Sequence, residues 1–308
     1  MRQAKAQSAM EYLMTYGWAI LVIAVVLAVM FSLGLFNANT YGGRAHAGSC
    51  TIQRPYGPNT TQLISLAGVC NGQMPQFVAM FNGQNAYVSF GNPVTLSSES
   101  GPGIGSSESM SLCMWYDPIS TAGYNGIAMK SVQPPSSGNE WEYFVDSRTS
   151  QGYSVNSHIY NYSVAGYNTG SLPKANTWYF TCFTFDAQPS VATSYYYLNG
   201  RQFNGAFSES LYTTYNVGGT GNFVIGVGPG GYSNVEISNV QVYSSEISAN
   251  DVNALYLEGI GGAPVNLQSL VGWWPLNGDA VDYSGNGNNG AMANVILNSQ
   301  WTNGYTQP

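Results

Sequence analysis

The sequence predicts one membrane-spanning α-helix at the N-terminus followed by an all-β sandwich. Residues 12–36 contain no Pro and no charge, and at about 1.5 Å per residue they are long enough to cross a bilayer. After residue 76, about ten short runs of alternating apolar and polar residues are separated by turn formers, which is typical of a sandwich or barrel. The 37 Gly and 23 Tyr, with only 7% charged residues, favour a β-protein.

The charge balance excludes one class of partner. The chain carries only 8 Lys and Arg and a net charge of −7. Phosphate backbones are bound by clustered basic residues, so we expect no nucleic acid partner.

The N-terminal flank predicts the orientation of the helix. Arg2 and Lys5 precede the apolar run, which places the N-terminus inside and the remaining chain outside by the positive-inside rule. The run is longer than the apolar core of a secretory signal, about 7 to 15 residues, and its small residues precede it. A single-pass membrane protein with its C-terminal domain outside is therefore expected.

The leader resembles the class III signal peptide of archaeal type IV pilin-like proteins. Gln7 follows a short basic stretch, and Glu11 comes four positions later at the head of the apolar helix. The resemblance implies that prepilin peptidase cuts between Ala6 and Gln7, leaving a leader of residues 1–6 and a pilin-like helix of residues 7–36. It also implies assembly with other pilin-like subunits, in which Glu11 pairs with the new ammonium of a neighbour's Gln7. Ala6 and Ala9 stand where family members often have Gly and Ser.

A Gly- and Asn-rich stretch after the helix predicts a linker over residues 37–75. Cys50 and Cys70 bracket a loop in it, and a disulfide there contributes roughly 3 kcal/mol. Cys113 and Cys182 lie in strand-like runs and either pair across strands or remain buried thiols. Four cysteines allow three pairings, and the sequence does not choose among them.

Five motifs resemble a laminin G-like, concanavalin A-type jelly roll in the order that this family uses. They are FVAMFNGQNAYVSF, SMSLCMWYDP, NTWYFTCFTFD, YYYLNGRQF and the segment from NFVIGVG to ALYLEG. The resemblance implies a β-sandwich over residues 76–262. One short helix closes it, with Ser248 as N-cap and with Val252, Leu255 and Tyr256 on one side.

Residues 263–308 carry a family motif out of its usual order. LVGWWPLNGDAVDYSGNGNNGAM resembles the strand and loop that family members usually carry before the strand that corresponds to FVAMFNGQNAYVSF here. Either the domain is circularly permuted or a second copy begins and is cut short. Permutation is favoured because an isolated strand with Trp273 and Trp274 cannot bury its apolar face.

Catalytic chemistry has little support in the sequence, and no catalytic residue is predicted. Glu140 and Glu142 share a strand face with Asp146 beyond, as glycosidase carboxylates do, but Trp141 replaces the middle acid of the glucanase signature. His46 and His158 stand alone, so zinc is not expected. The protein is predicted not to be an enzyme.

No cofactor is required by the sequence, and no firm metal site is present. Asp279 and Asp282, in a loop rich in Gly and Asn, are weak candidates for Ca²⁺ ligands. Asn59 and Asn161 begin N-x-S/T sequons and are candidate glycosylation sites on the outer side.

These expectations favour a cell-surface pilin-like subunit, in the membrane or a pilus, that displays a lectin-like sandwich for adhesion to a glycan or other cell-surface ligand. The aromatic segments SYYYLNG and TTYNVGG either stack on sugar rings or belong to the core. The alternatives are a binding module anchored singly in the membrane without filament assembly, and a surface glycoside hydrolase.

Overall fold

The computed structural model divides into two compact units, Met1–Gly42 and Gly43–Pro308. The residues it describes are 4–32, 43–45, 49–58, 60, 62–91, 109–120, 124–131, 139–146, 154–159, 162–168, 174–187, 191–202, 207–210, 221–228 and 230–308.

The first unit is the helix α1, Ala4–Ser32. Its side chains are described over residues 14–30, where they are apolar and mostly exposed, as at Trp18 with 68% exposure. No helix in the described part of the chain combines the length and apolarity needed to cross a membrane. α1 confirms a helix at the N-terminus, and the crossing of a membrane by residues 7–36 stays a prediction.

The second unit is built from short strands and one helix. The first strands are β1 Gly43–Ala45, β2 Cys50–Gln53, β3 Ser65–Gly68, β4 Gln73–Pro75, β5 Val78–Asn82, β6 Tyr87–Ser89, β7 Ser109–Pro118, β8 Tyr124–Ser131, β9 Asn139–Asp146, β10 Ser154–Ile159 and β11 Tyr162–Asn168. The others are β12 Tyr179–Ala187, β13 Val191–Leu198, β14 Arg201–Gln202, β15 Phe207–Ser210, β16 Asn222–Ile225, β17 Val227–Gly228, β18 Gly231–Tyr232, β19 Asn234–Tyr243, β20 Leu270–Trp274, β21 Ala291–Ala293 and β22 Ile296–Asn298. The helix α2, Ala249–Glu258, lies between β19 and β20.

Two antiparallel sheets form a sandwich. The seven-stranded sheet has the order β11-β10-β9-β8-β16-β6-β21. The nine-stranded sheet has the order β14-β13-β12-β7-β19-β5-β22, with β15 paired to β13 and β20 paired to β19. This architecture confirms the predicted all-β sandwich.

The sandwich has three apolar layers. The main core lies between the sheets and includes Leu112 and Phe183 from one sheet and Val88 and Phe223 from the other. A second layer covers the outer face of the nine-stranded sheet, where it contains Trp115 and the buried side of α2. A third and smaller layer lies on the seven-stranded sheet and includes Met129 and Val224.

The folded unit begins earlier than the sequence predicts. Residues 37–75 are not a linker throughout, since Gly43 and the chain beyond it belong to the second unit. Cys50, Ile52 and Met74 are buried in the layer that covers the nine-stranded sheet, which is why this segment folds with it. A disulfide joins Cys50 to Cys70, with an S–S distance of 1.99 Å.

The other two cysteines also pair. Cys113 of β7 and Cys182 of β12 lie directly opposite each other in adjacent strands. They form a disulfide with an S–S distance of 2.03 Å. Of the three pairings that the sequence leaves open, the structure therefore has the one that joins neighbouring strands.

The C-terminal segment contributes to both sheets. β20 pairs with β19 and β22 with β5 in one sheet, whereas β21 pairs with β6 in the other. Trp274 is 0% exposed in the core between the sheets, and Trp273 is buried on the opposite face of the same strand. These contacts match the permuted arrangement rather than a truncated second copy.

The helix α2 begins where its capping residues predict. The Ser248 side chain accepts a hydrogen bond from the Asp251 backbone N–H at 3.1 Å, and the Ser248 backbone N–H donates to Asp251 Oδ2 at 3.2 Å. This reciprocal pair forms a capping box. Val252 and Leu255 are buried, as predicted, whereas Tyr256 of the same side is half-buried and packs against the layer that contains Trp115.

Candidate functional site

The outer face of the seven-stranded sheet carries a small apolar cluster of its own. Met129 of β8, Val224 of β16 and Val227 of β17 are buried in it. Tyr87 of β6 and Tyr232 of β18 are half-buried and pack against these side chains. The cluster is separate from the core between the sheets, so it marks the outer surface of this sheet.

A short ribbon of β17 and β18 lies against β8 on this face. A Cβ at Gly126 would lie 2.1 Å from the Gly228 Cα, and one at Gly228 would lie 2.3 Å from the Gly126 Cα. The two backbones approach this closely only because both residues are glycine. The buried Ser233 hydroxyl, next in the chain after Tyr232, donates to the Gly126 carbonyl at 2.7 Å, which fixes the ribbon and thereby Tyr232.

The two tyrosines form a tilted pair. Their ring centroids are 6.2 Å apart, with an interplanar angle of 36°. Half-buried rings offer an apolar face with a polar hydroxyl, and this combination suits the flat apolar face of a pyranose and its hydroxyls.

The strand register of the seven-stranded sheet defines a line of directly opposed residues across the strands, and some residues on this line can exchange protons or form hydrogen bonds. Cross-strand partners share a face, so a line that includes Met129 and Val224 runs along the outer face. The positions on this line, strand by strand, are Ala291, Ser89, Val224, Met129, Glu142, His158 and Ser163.

This register changes the interpretation of two residues. Glu142, a candidate glycosidase acid, lies opposite both Met129 and His158. His158 stands alone in the sequence, yet the sheet places it next to a carboxylic residue. No local sequence signal reports this pairing, because β9 and β10 are brought into register by the sheet. Glu142 is the one acidic residue on the line.

The weak calcium candidates have structural roles. Asp282 is 7% exposed, and its carboxylate accepts backbone N–H groups from Trp273, Ser284 and Asn288 at 3.0, 2.9 and 2.9 Å. Asp279 accepts the Val281 N–H at 3.1 Å, which closes a turn. In the part of the chain that the structure describes, no three His, Cys, Asp or Glu side chains converge as a metal site.

Arg54 supplies the cation beside Asp282. Its guanidinium donates to the carbonyls of Ser284, Leu267 and Leu270 at 2.9, 3.0 and 3.1 Å. Partial burial lowers the pKa of Arg54, and the Asp282 carboxylate opposes that change. The loop is therefore organised by internal hydrogen bonds and an arginine.

Several predicted sites fall outside what the structure describes. α1 includes the backbone of Ala6, Gln7 and Glu11, but their side chains lie outside the described ones. Asn59 and Asn161 lie outside the described residues, as does the segment TTYNVGG. In SYYYLNG, Tyr196 and Tyr197 are buried, so they belong to the apolar layers rather than to an open sugar platform.

Sequence analysis missed one pair of buried acids. Asp117 of β7 and Glu236 of β19 are directly opposite each other and are 4% and 7% exposed. Burial, then repulsion from Glu236, raises the pKa of Asp117 to about 7, although a 2.7 Å hydrogen bond from the Thr177 N–H opposes the rise. Burial also raises the pKa of Glu236, against a 2.5 Å hydrogen bond from Asn298. The sequence signal for this pair was one carboxylic residue within each of two largely apolar strands, Asp117 in β7 and Glu236 in β19.

Comparison with known proteins defines the class. The two antiparallel sheets, one covered on its outer face and one carrying tyrosines, form a concanavalin A-type sandwich. Residues 42–253 match the laminin G model of the concanavalin A-like lectin/glucanases superfamily, and the chain belongs to this superfamily. No curated protein matches the chain. The match begins at residue 42, so the pilin-like resemblance of the leader stays a prediction.

Solved structures resemble this chain at low identity. The heptameric SAP-like pentraxin from Limulus polyphemus is 13% identical, with a TM-score of 0.49, covering 72% of this chain and 94% of that one. A carbohydrate binding protein, described as putative, from Bacteroides ovatus is 15% identical, with a TM-score of 0.48, over 78% of this chain and 64% of its own length. Domain 4 of the extracellular arabinanase AbnA from Geobacillus stearothermophilus is 14% identical, with a TM-score of 0.36, over 69% and 84%.

Proposed function

We propose that this protein is an extracellular carbohydrate-binding module whose binding surface is the outer face of the seven-stranded sheet. The observation that carries the proposal is the half-buried pair Tyr87 and Tyr232 on that face. The rings are supported by buried Met129, Val224 and Val227, so they keep their orientation before a ligand arrives. Two disulfides agree with an oxidising, extracellular environment.

Binding is favoured over hydrolysis because the catalytic signature in the sequence is incomplete. Glycoside hydrolysis ordinarily uses two carboxylic residues flanking the scissile bond. Glu140 and Glu142 share a strand face, but Trp141 stands between them in place of the middle acid of the glucanase signature. The side chains of Glu142 and His158 lie outside the described ones, and from their register alone we propose that they hydrogen-bond sugar hydroxyls. Glu142→Gln should weaken glycan binding. Neither this variant nor the unchanged protein should release reducing sugar.

The test of the proposal is glycan binding by tyrosine variants. A glycan array identifies a ligand for the purified protein, and calorimetry then measures its affinity for Tyr87→Ala and Tyr232→Ala. Each variant should lose about tenfold in affinity, since a stacked ring contributes on the order of 1 kcal/mol or more. Tyr56→Ala is the matched control, because Tyr56 is 61% exposed on the Cys50–Cys70 loop and lies outside the cluster.

Two results would contradict the proposal. One is an unchanged protein that binds no glycan on the array. The other is a pair of correctly folded tyrosine variants, checked by thermal unfolding, that bind as well as Tyr56→Ala.

We further propose that a pilin-like helix displays this module on the cell surface. The supporting observation is the described part of α1, whose apolar side chains over residues 14–30 are mostly exposed within the chain. Apolar helix surface is stabilised by packing against other helices. In this proposal prepilin peptidase cuts between Ala6 and Gln7, and Glu11 fixes the register of neighbouring subunits.

A further inference from the structure

The Cys50–Cys70 loop carries an apolar surface that the proposed sugar surface does not include. In the described part of the second unit, seven large apolar side chains are exposed, and four of them lie in this loop. Three of the four are Leu63, Leu66 and Val69, which are 69%, 40% and 57% exposed. Single exposed apolar residues are common on proteins, whereas a group of this kind marks an interaction surface.

The strand β3 forms the outer edge of this loop. Its described partner is β2, which it meets with Leu66 opposite Ile52. β2 is attached to the rest of the domain, since the Ile52 N–H donates to the Tyr283 carbonyl at 3.0 Å. Among the described residues, no strand pairs with the other edge of β3, and three of its four residues are exposed. The backbone groups on that edge can therefore pair with a further strand.

The edge lacks the features by which sheet edges usually avoid pairing. Residues 62–73 contain no charge and no Pro, both of which normally protect an edge. Leu63 adopts a positive φ of 53° with its side chain exposed, and backbone strain of this kind clusters at functional sites. These features favour pairing with another strand.

Charge indicates which strand this is. The net charge of −7 makes copies of the chain repel each other, so they approach with least cost through an uncharged surface. Arg54 is the one charged residue of the Cys50–Cys70 loop, and its guanidinium donates to four carbonyls of the same domain at 2.9 to 3.1 Å. A charged partner therefore meets no opposite charge at this edge, whereas an identical uncharged edge fits it.

We infer that β3 pairs antiparallel with β3 of a second copy. A two-fold axis perpendicular to the sheet reverses the strand direction and leaves each face of the sheet on its own side. Because side chains alternate between the two faces, a register centred on Leu66 places this residue opposite Leu66 of the other copy. The same register places Leu63 of each copy opposite Val69 of the other. All three exposed apolar residues thus meet an apolar partner, which makes the edge self-complementary.

The contact includes neither the tyrosines of the sugar surface nor α1. Its failure would leave sugar binding and helix-mediated assembly unaffected, and failure of either of these would leave the contact unaffected.

Chemical crosslinking of the full chain in detergent micelles tests the pairing. Leu66→Cys is treated with a short bismaleimide, which joins two thiols without an oxidant and so leaves the native disulfides intact. Opposed Cβ atoms in antiparallel strands are about 5 Å apart, so a covalent dimer should form. Leu257→Cys is the matched control, because Leu257 is 59% exposed on α2, away from the loop. It should give roughly tenfold less dimer, since its thiols meet only by chance encounter.

A charge at the same position tests the energy of the contact. Leu66→Lys sets two like charges directly opposite each other in the pair. It should raise the dissociation constant for self-association by about tenfold, measured by analytical ultracentrifugation in the same micelles at low salt. Leu257→Lys should leave that constant unchanged. Thermal unfolding confirms beforehand that both variants are folded.

Three results would overturn the contact. The first is equal crosslinking of Leu66→Cys and Leu257→Cys. The second is equal self-association of Leu66→Lys and Leu257→Lys. The third is a Leu66→Cys thiol that forms no dimer and reacts only with a lipid-soluble maleimide, which would place the loop against lipid instead of a second copy.

Discussion

Asp117 and Glu236 occupy neighbouring strands of the nine-stranded sheet, and each is almost fully buried. Two carboxylates in this arrangement are not both ionised without cost, because burial and mutual repulsion favour a proton on the pair. The pKa of Asp117 is about 7, which lies near neutral pH. At this scale the sheet determines an ionisation state that neither residue has in the unfolded chain.

The pair predicts that the sandwich is more stable in mild acid than in mild base. A folded-state pKa raised above the unfolded value contributes stability that is full below about pH 4 and is lost as pH rises through about 7. Asp117→Asn cannot ionise, yet its side-chain oxygen still accepts the Thr177 N–H. It should exceed the unchanged protein at pH 8 by roughly 2 to 4 kcal/mol in the free energy of unfolding.

Urea unfolding at pH 5 and pH 8 measures this difference. Asp279→Asn, in a partly exposed turn, should follow the unchanged protein at both pH values. Equal stability gains for Asp117→Asn at pH 5 and pH 8 would show that the pair is not the source of the pH dependence.

The capped helix at Ser248 could be predicted at the residue scale because local spacing determines it, whereas the sequence left the pairing of the four cysteines open. The Asp117–Glu236 pair and the Glu142–His158 neighbours could not be predicted. Each depends on the register between strands that are distant in sequence, and no local pattern fixes that register.

At the scale of elements, the C-terminal segment is integrated on both sides of the sandwich. β20, β21 and β22 pair with strands of both sheets. The Asn277 side chain accepts the backbone N–H groups of Gln76 and Phe77 at 2.8 and 2.9 Å, and Arg54 binds the carbonyls of Leu267 and Leu270. The beginning and the end of the domain are therefore joined by hydrogen bonds.

Deletion of residues 263–308 should abolish cooperative folding. It removes three strands and Trp274, and loss of a buried Trp side chain alone costs about 3 to 5 kcal/mol. It also bares the edges of both sheets, so we expect aggregation. A cooperative melt at the unchanged temperature would mean that the segment is an appendage.

Deletion of residues 306–308 is the control. These three residues are exposed, whereas Tyr305 is buried, so this shorter deletion should leave the melting temperature within a degree or two.

The elements themselves were largely predictable where a motif combined strand pattern and turn chemistry. Asn199 and Gly200 adopt the positive φ angles, 49° and 73°, that the hairpin between β13 and β14 requires. The segment of β2 to β4 was not predictable. Its composition is that of a linker. Its apolar residues Ile52 and Met74 are buried only because they pack into the layer that covers the nine-stranded sheet.

At the scale of the whole molecule, the two outer faces of the sandwich differ. The nine-stranded sheet is covered by α2 and a layer rich in Trp and Tyr. The described part of the seven-stranded sheet carries a few buried side chains and two half-buried tyrosines. This asymmetry agrees with the proposal that the covered face stabilises the fold and the other face binds a ligand.

The leader predicts a second property of the whole molecule. Mass spectrometry of the surface-bound protein should find Gln7 at the N-terminus. Glu11→Gln should lower incorporation into filaments by about tenfold, because an amide does not balance a neighbouring ammonium. Glu258→Gln, on the exposed end of α2, is the matched control. An intact Met1 terminus, or normal incorporation of Glu11→Gln, would argue against pilin-like assembly.

The position of bound sugar tests the central claim most directly. A crystal structure of the sandwich unit with an oligosaccharide identified on the glycan array should show a pyranose ring against Tyr87 or Tyr232. Its hydroxyls should lie within hydrogen-bonding distance of Glu142 or His158. A sugar bound on the opposite sheet, or on the loop of residues 279–290 with the tyrosines uncovered, would contradict the account.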